Sequence, residues 1–183
     1  MTRWHLRQAV RKLEAGGVIA YPTEAVYGLG CIPEDFHAVA RILALKNRPI
    51  EKGLILVAAN PDQVAPYVYY PDNGIRQKVE RSWPGPVTWL LPATELVPVW
   101  IRGDHESVAV RISNHPAVIS LSGAAGPLVS TSANPAGCPP ATTARKVIFY
   151  FGPVLDYCYP GPVGKPGRPT EIRDALTGRV VRI

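Results

Sequence analysis

Apolar positions along the chain switch between the spacing of a helix and that of a strand. Leu6, Ala9, Val10 and Leu13 fall at i, i+3, i+4 and i+7 while Arg3, Arg7 and Arg11 line another face, which predicts a helix ended by Gly16-Gly17. Residues 18–21 read as a buried strand stopped by Pro22. Pro33-Glu34-Asp35 opens a second helix, with the stripe Phe36, Val39, Ile42, Leu43, that ends near Lys46 ahead of Pro49. Residues 54–59 read as a second buried strand, and Asn60-Pro61-Asp62 as the cap of a short helix. Ile75, Val79 and Trp83 mark a helix closed by Pro84-Gly85-Pro86, with a strand over 87–91 after it.

The segment 107–112 is the most informative. Val108, Val110 and Ile112 share one face, and Ser107, Ala109 and Arg111 share the other. If the valine face packs on the core, Arg111 and Ser107 point into the opposite space. Asn114-His115-Pro116 begins a helix, residues 128–130 form a strand running into a polar loop at 131–134, and Thr143 caps a helix through Phe151. Residues 154–159 and 179–183 are the last strand candidates, separated by a Gly/Pro-rich loop over 160–169 that carries Lys165 and Arg168. Strands alternating with helices predict one α/β (α+β) domain over 1–183, a mixed sheet flanked by helices.

Composition narrows the classes. With 46% apolar and 19% charged residues, the chain can bury a core. No apolar run approaches the roughly 20 residues of a membrane span, and the N-terminus lacks the apolar stretch of a signal peptide, so a cytoplasmic protein with no membrane partner is expected. Three cysteines without close spacing argue against disulfides or a Cys-x-x-Cys metal site, and no His-x-x-x-His pair signals a metal. The net charge of +6 suits an anionic partner, a nucleotide or a nucleic acid.

Common catalytic motifs are missing. There is no P-loop, Gly28-Leu29-Gly30 is not a dinucleotide fingerprint, and no Gly-x-Ser-x-Gly elbow exists. Cys31 reads as a small core thiol. Four dispersed segments remain. Pro22-Thr23-Glu24-Ala25-Val26-Tyr27-Gly28 follows a buried strand, as a capped turn or as a ligand loop at a strand's carboxyl end. Lys46, Arg48 and Lys52 crowd one turn; the helix C-terminus accounts for Lys46, and a polyphosphate accounts for all three. Ser130-Thr131-Ser132-Ala133-Asn134 offers hydroxyl and amide groups as a strand cap or as ligands for phosphate. Arg111, in a strand of valines, needs an anionic partner, either a structural carboxylate or a ligand.

In this order the segments resemble the YrdC-like family, whose members make threonylcarbamoyl-adenylate. The matching stretches are VIAYPTEAVYGLG (18–30), LKNRP (45–49), KGLIL (52–56), WPGPVT (83–88), VAVR (108–111), LVSTSAN (128–134) and EIRD (171–174). Together they span nearly the whole chain, at the length of the short bacterial form. The resemblance implies a YrdC/RibB-like fold, a twisted mixed sheet with a concave, positively charged cavity. It implies a nucleotidyltransferase that consumes L-threonine, bicarbonate or CO2, and ATP. The products are pyrophosphate and threonylcarbamoyl-AMP, which a partner transferase uses to modify tRNA beside the anticodon.

Carried over by position, Lys46 and Arg48 are the catalytic cations, and Lys46, Arg48 and Lys52 contact the triphosphate. Ser132 and Asn134 hold the phosphate and sugar region, and Ser107 and Arg182 make further nucleotide contacts. Thr23, Arg111 and Ser130 match threonine-binding positions, with Arg111 on the substrate carboxylate; Thr170 keeps a hydroxyl where many members have serine. Pro140 and Val57 replace a serine and a histidine often found in longer members, so neither carries over as a ligand. Magnesium is expected to arrive on ATP without a protein-bound metal cage. The alternative on residues alone is a non-catalytic module binding double-stranded RNA, suggested by charge but lacking an aromatic RNA-recognition signature; a related fold acting on sugar phosphates is a third.

Overall fold

The computed structural model describes residues 2–164 and 170–182, so Lys165 and Arg168 lie outside the described residues. Helix α1 (Arg3–Glu14) buries Ala9 and Leu13 and ends where Gly16 adopts φ +74. Strands β1 (Ile19–Pro22) and β2 (Tyr27–Gly30) pair antiparallel around the 23–26 turn. Pro22 therefore belongs to the strand it was expected to stop, and the ligand loop is shorter than expected because β2 takes Tyr27 and Gly28 from its end. β2 carries the low-propensity run Tyr-Gly-Leu-Gly, yet pairing on both sides holds it extended. Side chains would not fit at Gly30, where a Cβ would lie 2.4 Å from the Val129 carbonyl oxygen.

Helix α2 (Phe36–Lys46) starts on Asp35, whose side chain accepts from the Ala38 N–H, and stops at left-handed Asn47 (φ 45). The reversal at Asn47 returns Arg48 N–H to the Leu43 carbonyl and leads into a 3-10 turn over Ile50–Lys52. Next come β3 (Ile55–Ala58), a 3-10 turn over Pro61–Gln63 capped by Asn60, and α3 (Asn73–Glu80). α3 ends before Trp83, contrary to the spacing. Trp83 packs in the core instead, its indole N–H bonded to the Val87 carbonyl.

β4 (Val87–Pro92), a single-turn helix α4 (Val99–Arg102), β5 (Ser107–Ile112) and α5 (Pro116–Ala125) follow. β6 (Leu128–Ser132) extends two residues into the expected polar loop because Ser132 and Thr131 pair with Gly28 and Leu29. α6 (Ala144–Phe151) gives way to a 3-10 turn over Gly152–Val154, which shortens the expected strand to β7 (Tyr157–Cys158). The charged segment β8 (Glu171–Asp174) and β9 (Val180–Arg182) complete the described elements.

The strands form one mixed sheet in the order β7-β1-β2-β6-β3-β5-β4-β8-β9. On one face Leu56, Val108, Val110 and Ile112 pack with α2 and α3, and each buried aliphatic side chain contributes about 1.5–3 kcal/mol. On the other face α1 and α5 cover Ile19, Tyr21, Val57 and Leu128. Strand register puts Ile55 and Ser130, Val57 and Arg111, and Ile172 and Arg182 side by side. Past the ends of α1 and α5, this second face is left open as a cleft.

Candidate active site

Three adjoining cavities run along that open face, of about 250, 350 and 240 Å³. The first is lined by Thr23, Val26, Arg111, Ser130, Pro140 and Thr170 among others. The second holds Lys46, Arg48, Lys52, Ser132 and Asn134, and the third Ser107, Leu90 and Ala109 with Arg48 and Lys52 again. Ile55 and Arg182 line all three. Every residue carried over as a catalytic, nucleotide or threonine contact thus borders one of these adjoining cavities. Pro140 borders the first as well, while Val57 is core.

In the first cavity Arg111 is 4% exposed. Its Nη1 donates to Thr170 Oγ1 at 2.7 Å, and its Nη2 lies 3.5 Å from Glu24 Oε2. Both readings of Arg111 therefore meet: it has a structural carboxylate and it also faces a cavity. Among the described residues, Arg111 Nε has no hydrogen-bond partner. The Thr23 hydroxyl donates to the Val26 carbonyl at 2.7 Å, which fixes the turn. Glu24 is the residue that sequence reasoning missed. It sits inside a quoted motif, but its link to Arg111 is made only by the fold.

In the second cavity Lys46 Nζ donates to the carbonyls of Ser132 (2.6 Å) and Asn134 (2.9 Å) and to Asn134 Oδ1 (3.1 Å). Ser132 Oγ donates to the same Oδ1 at 2.7 Å, and Asn134 Nδ2 donates to the Cys138 carbonyl at 2.7 Å. All three ammonium protons are engaged, so Lys46 supplies charge and holds the loop. Arg48 uses Nε and Nη2 on the Lys52 and Gly53 carbonyls.

Cations follow one another along the cleft. Burial and then the Arg48 charge lower the Lys46 pKa to about 8. Arg48 is shifted down by burial and then by Arg182, and Arg182 by burial and then by Arg111. Positive charges crowded in a partly desolvated groove suit an anionic ligand. Among the described residues no group of three or more His, Cys, Asp or Glu side chains could hold a metal ion, and no helix is long and apolar enough to cross a membrane.

Fold and cleft define an α/β protein with an extended electropositive groove that ends in a buried arginine. The family model described as "Telomere recombination", which covers Sua5, YciO and YrdC, matches residues 11–183, and the chain belongs to that family. It is 54% identical over 175 residues to a threonylcarbamoyl-AMP synthase of Cellvibrio japonicus, covering 95% of this chain and 93% of the relative. It is 48% identical to the enzyme of that name from Pseudomonas entomophila, covering 100% and 98%. Among solved structures, P. abyssi Sua5 complexed with L-threonine superposes with a TM-score of 0.89 at 32% identity, covering 95% of this chain and 52% of that one. This chain thus spans about half of that protein. E. coli YciO gives a TM-score of 0.88 at 27% identity, covering 99% and 89%.

Proposed function

We propose that this protein condenses L-threonine, bicarbonate or CO2, and ATP into threonylcarbamoyl-AMP and pyrophosphate. The adenylate then serves a transferase that modifies tRNA beside the anticodon, in the cytoplasm, where ATP and tRNA are available. The observation that carries this reading is the row Lys46, Arg48, Arg182, Arg111 along one cleft. The names of full-length relatives favour it over the RNA-binding module.

Arg111 takes the threonine carboxylate, with Thr23, Ser130 and Thr170 as neighbouring hydroxyls. Its Nε, which has no partner among the described residues, supports this, because an unsatisfied buried donor costs about 1–3 kcal/mol that a ligand oxygen offsets. Arg48 and Lys52 take the triphosphate. Lys46 holds the Ser132–Asn134 loop, which faces phosphate and ribose. Ser107 and Arg182 border the third cavity, whose wall of Leu54, Leu90, Ala109 and Ile172 suits an adenine ring.

Chemically, the threonine amine adds to CO2 and loses a proton to give a carbamate. One carbamate oxygen attacks the α-phosphorus, and the α–β bridging oxygen leaves with pyrophosphate. Both reactants are anions, so the protein's work is to hold like charges together and to stabilise the leaving group. Magnesium enters with ATP and neutralises phosphate oxygens. Removing one preorganised cation costs about 2–4 kcal/mol, or about 10²–10³ in rate.

Pyrophosphate release is measured with each substrate omitted in turn. The reading requires release that depends on both threonine and bicarbonate; release independent of threonine, or none, overturns it.

A further inference from the structure

Among the described residues one carboxylate, Glu24, pairs with this row of cations, at its Arg111 end. Among the described residues the ion pairs are Arg41–Asp156, Arg76–Glu80, Arg173–Glu171 and Arg111–Glu24. Lys46, Arg48, Lys52 and Arg182 have no carboxylate partner among the described residues, so within these the cleft is neutralised at Arg111 alone.

Glu24 is held through one oxygen, while its Oε2 has no hydrogen-bond partner among the described residues and faces Arg111 Nη2 at 3.5 Å. Glu24 Oε1 accepts from Ser113 Oγ at 2.5 Å, and Ser113 Oγ accepts from the His115 N–H at 3.1 Å. Ser113 N–H is bonded to the Ala58 carbonyl at 3.0 Å, which extends β5 past Arg111. The turn carrying Glu24 is closed by Thr23 N–H on the Val26 carbonyl at 3.0 Å. Gly164 packs so closely against it that a Cβ there would lie 2.5 Å from the Glu24 carbonyl oxygen. Glu24 does not line the cavity, although Thr23, Ala25 and Val26 do. It stands behind Arg111.

We infer that Glu24 is a positioning and specificity-determining residue: it fixes the Arg111 guanidinium and cancels its excess charge, so that this end accepts a zwitterionic amino acid and rejects polyphosphate. The inference rests on Arg111 being the group that takes the threonine carboxylate. Two consequences follow from the charges. A buried arginine with a carboxylate behind it is preorganised before substrate arrives. A nearly neutral pair attracts a single carboxylate through directed hydrogen bonds, but gives a triphosphate little reason to leave Lys46, Arg48 and Lys52. One groove thereby sorts two substrates.

The test is calorimetry on the full chain with threonine, ATP and magnesium pyrophosphate as separate probes, for wild type, Glu24→Gln and Ser113→Ala. Wild type binds threonine equally well with and without saturating pyrophosphate. Glu24→Gln is expected to weaken threonine about 10-fold or more, leave ATP within about two-fold, and let pyrophosphate compete with threonine. Threonine and ATP weakening alike, threonine affinity unchanged, or continued indifference to pyrophosphate each overturn the assignment. Ser113→Ala keeps both charges and releases Glu24; about a 3-fold loss for threonine alone is expected. Should Glu24→Gln fail to fold, an unaltered threonine affinity in Ser113→Ala is the overturning result. Wild type that binds threonine without turning it over defeats the synthase reading only, and wild type that does not bind threonine defeats both.

Discussion

Lys46 donates from Nζ to Asn134 Oδ1 at 3.1 Å across 88 residues of sequence. That bond fastens the end of α2 to the loop after β6. Asn134 Oδ1 also accepts a hydrogen bond from the Ser132 hydroxyl and its Nδ2 donates to the Cys138 carbonyl, so it is the hub of the loop. Asn134→Ala removes the acceptor and strands the Cys138 carbonyl. It is expected to cost about 1–3 kcal/mol in denaturant unfolding. The ATP KM should rise about 10-fold while the threonine KM changes little, because the loop faces the nucleotide half of the cleft.

Lys46 also sets a pH dependence. Burial and the Arg48 charge bring its pKa to about 8 from 10.5. Between those values the unfolded chain holds the proton and the folded chain does not, so this group's contribution to stability rises with pH. Polyphosphate requires the ammonium form, so ATP affinity moves the other way. From pH 7.5 to 9 the ATP KM should rise about 8-fold while stability does not fall on account of Lys46. Lys46→Arg, whatever its turnover, removes that slope, since guanidinium stays charged. Both trends are read from KM and thermal unfolding in one buffer series.

Two glycines of β2 respond differently to the same change. At Gly30 a Cβ would lie 2.4 Å from the Val129 carbonyl oxygen, and nothing there can yield. At Gly28 it would meet Ser130 Oγ at 3.2 Å and Thr23 Cγ2 at 3.5 Å, at the wall of the Arg111 cavity. Gly30→Ala is expected to unfold the chain or cut its yield sharply. Gly28→Ala should fold, with melting temperature nearly unchanged and a threonine KM about 10-fold higher.

Arg111→Ala strands Glu24 as a buried, unpaired carboxylate. Loss of about 3–5 kcal/mol of stability is expected, with most recovered in the Arg111→Ala/Glu24→Ala double variant. Both variants should lose threonine binding. Equal unfolding midpoints for the single and double variants would contradict the pairing.

Much of the architecture could be read from the chain. The alternation in 107–112 placed Val108, Val110 and Ile112 in the core and Arg111 opposite, and Thr143 caps the helix expected to start there, whereas the helix expected to open at Pro33 starts at Phe36 with Asp35 as its cap. Two of the misses share a cause. β2 and β8 are rich in glycine or charge, and they are strands because neighbours pair with them, a fact that local propensity does not carry. The candidate residues were legible as cations and hydroxyls at strand ends. Their internal contacts were not. Nothing local announces that Lys46 spends its protons on Ser132 and Asn134, or that Glu24 stands behind an arginine far along the chain.

The decisive measurement is a crystal structure with threonine and a non-hydrolysable ATP analogue bound together. The threonine carboxylate should lie on Arg111, the β- and γ-phosphates beside Arg48 and Lys52, and the amine within about 5 Å of the α-phosphorus, the reach of one carbamate. A nucleotide outside the cleft, or an amine more than about 10 Å from that phosphorus with both ligands seated, would contradict a shared site.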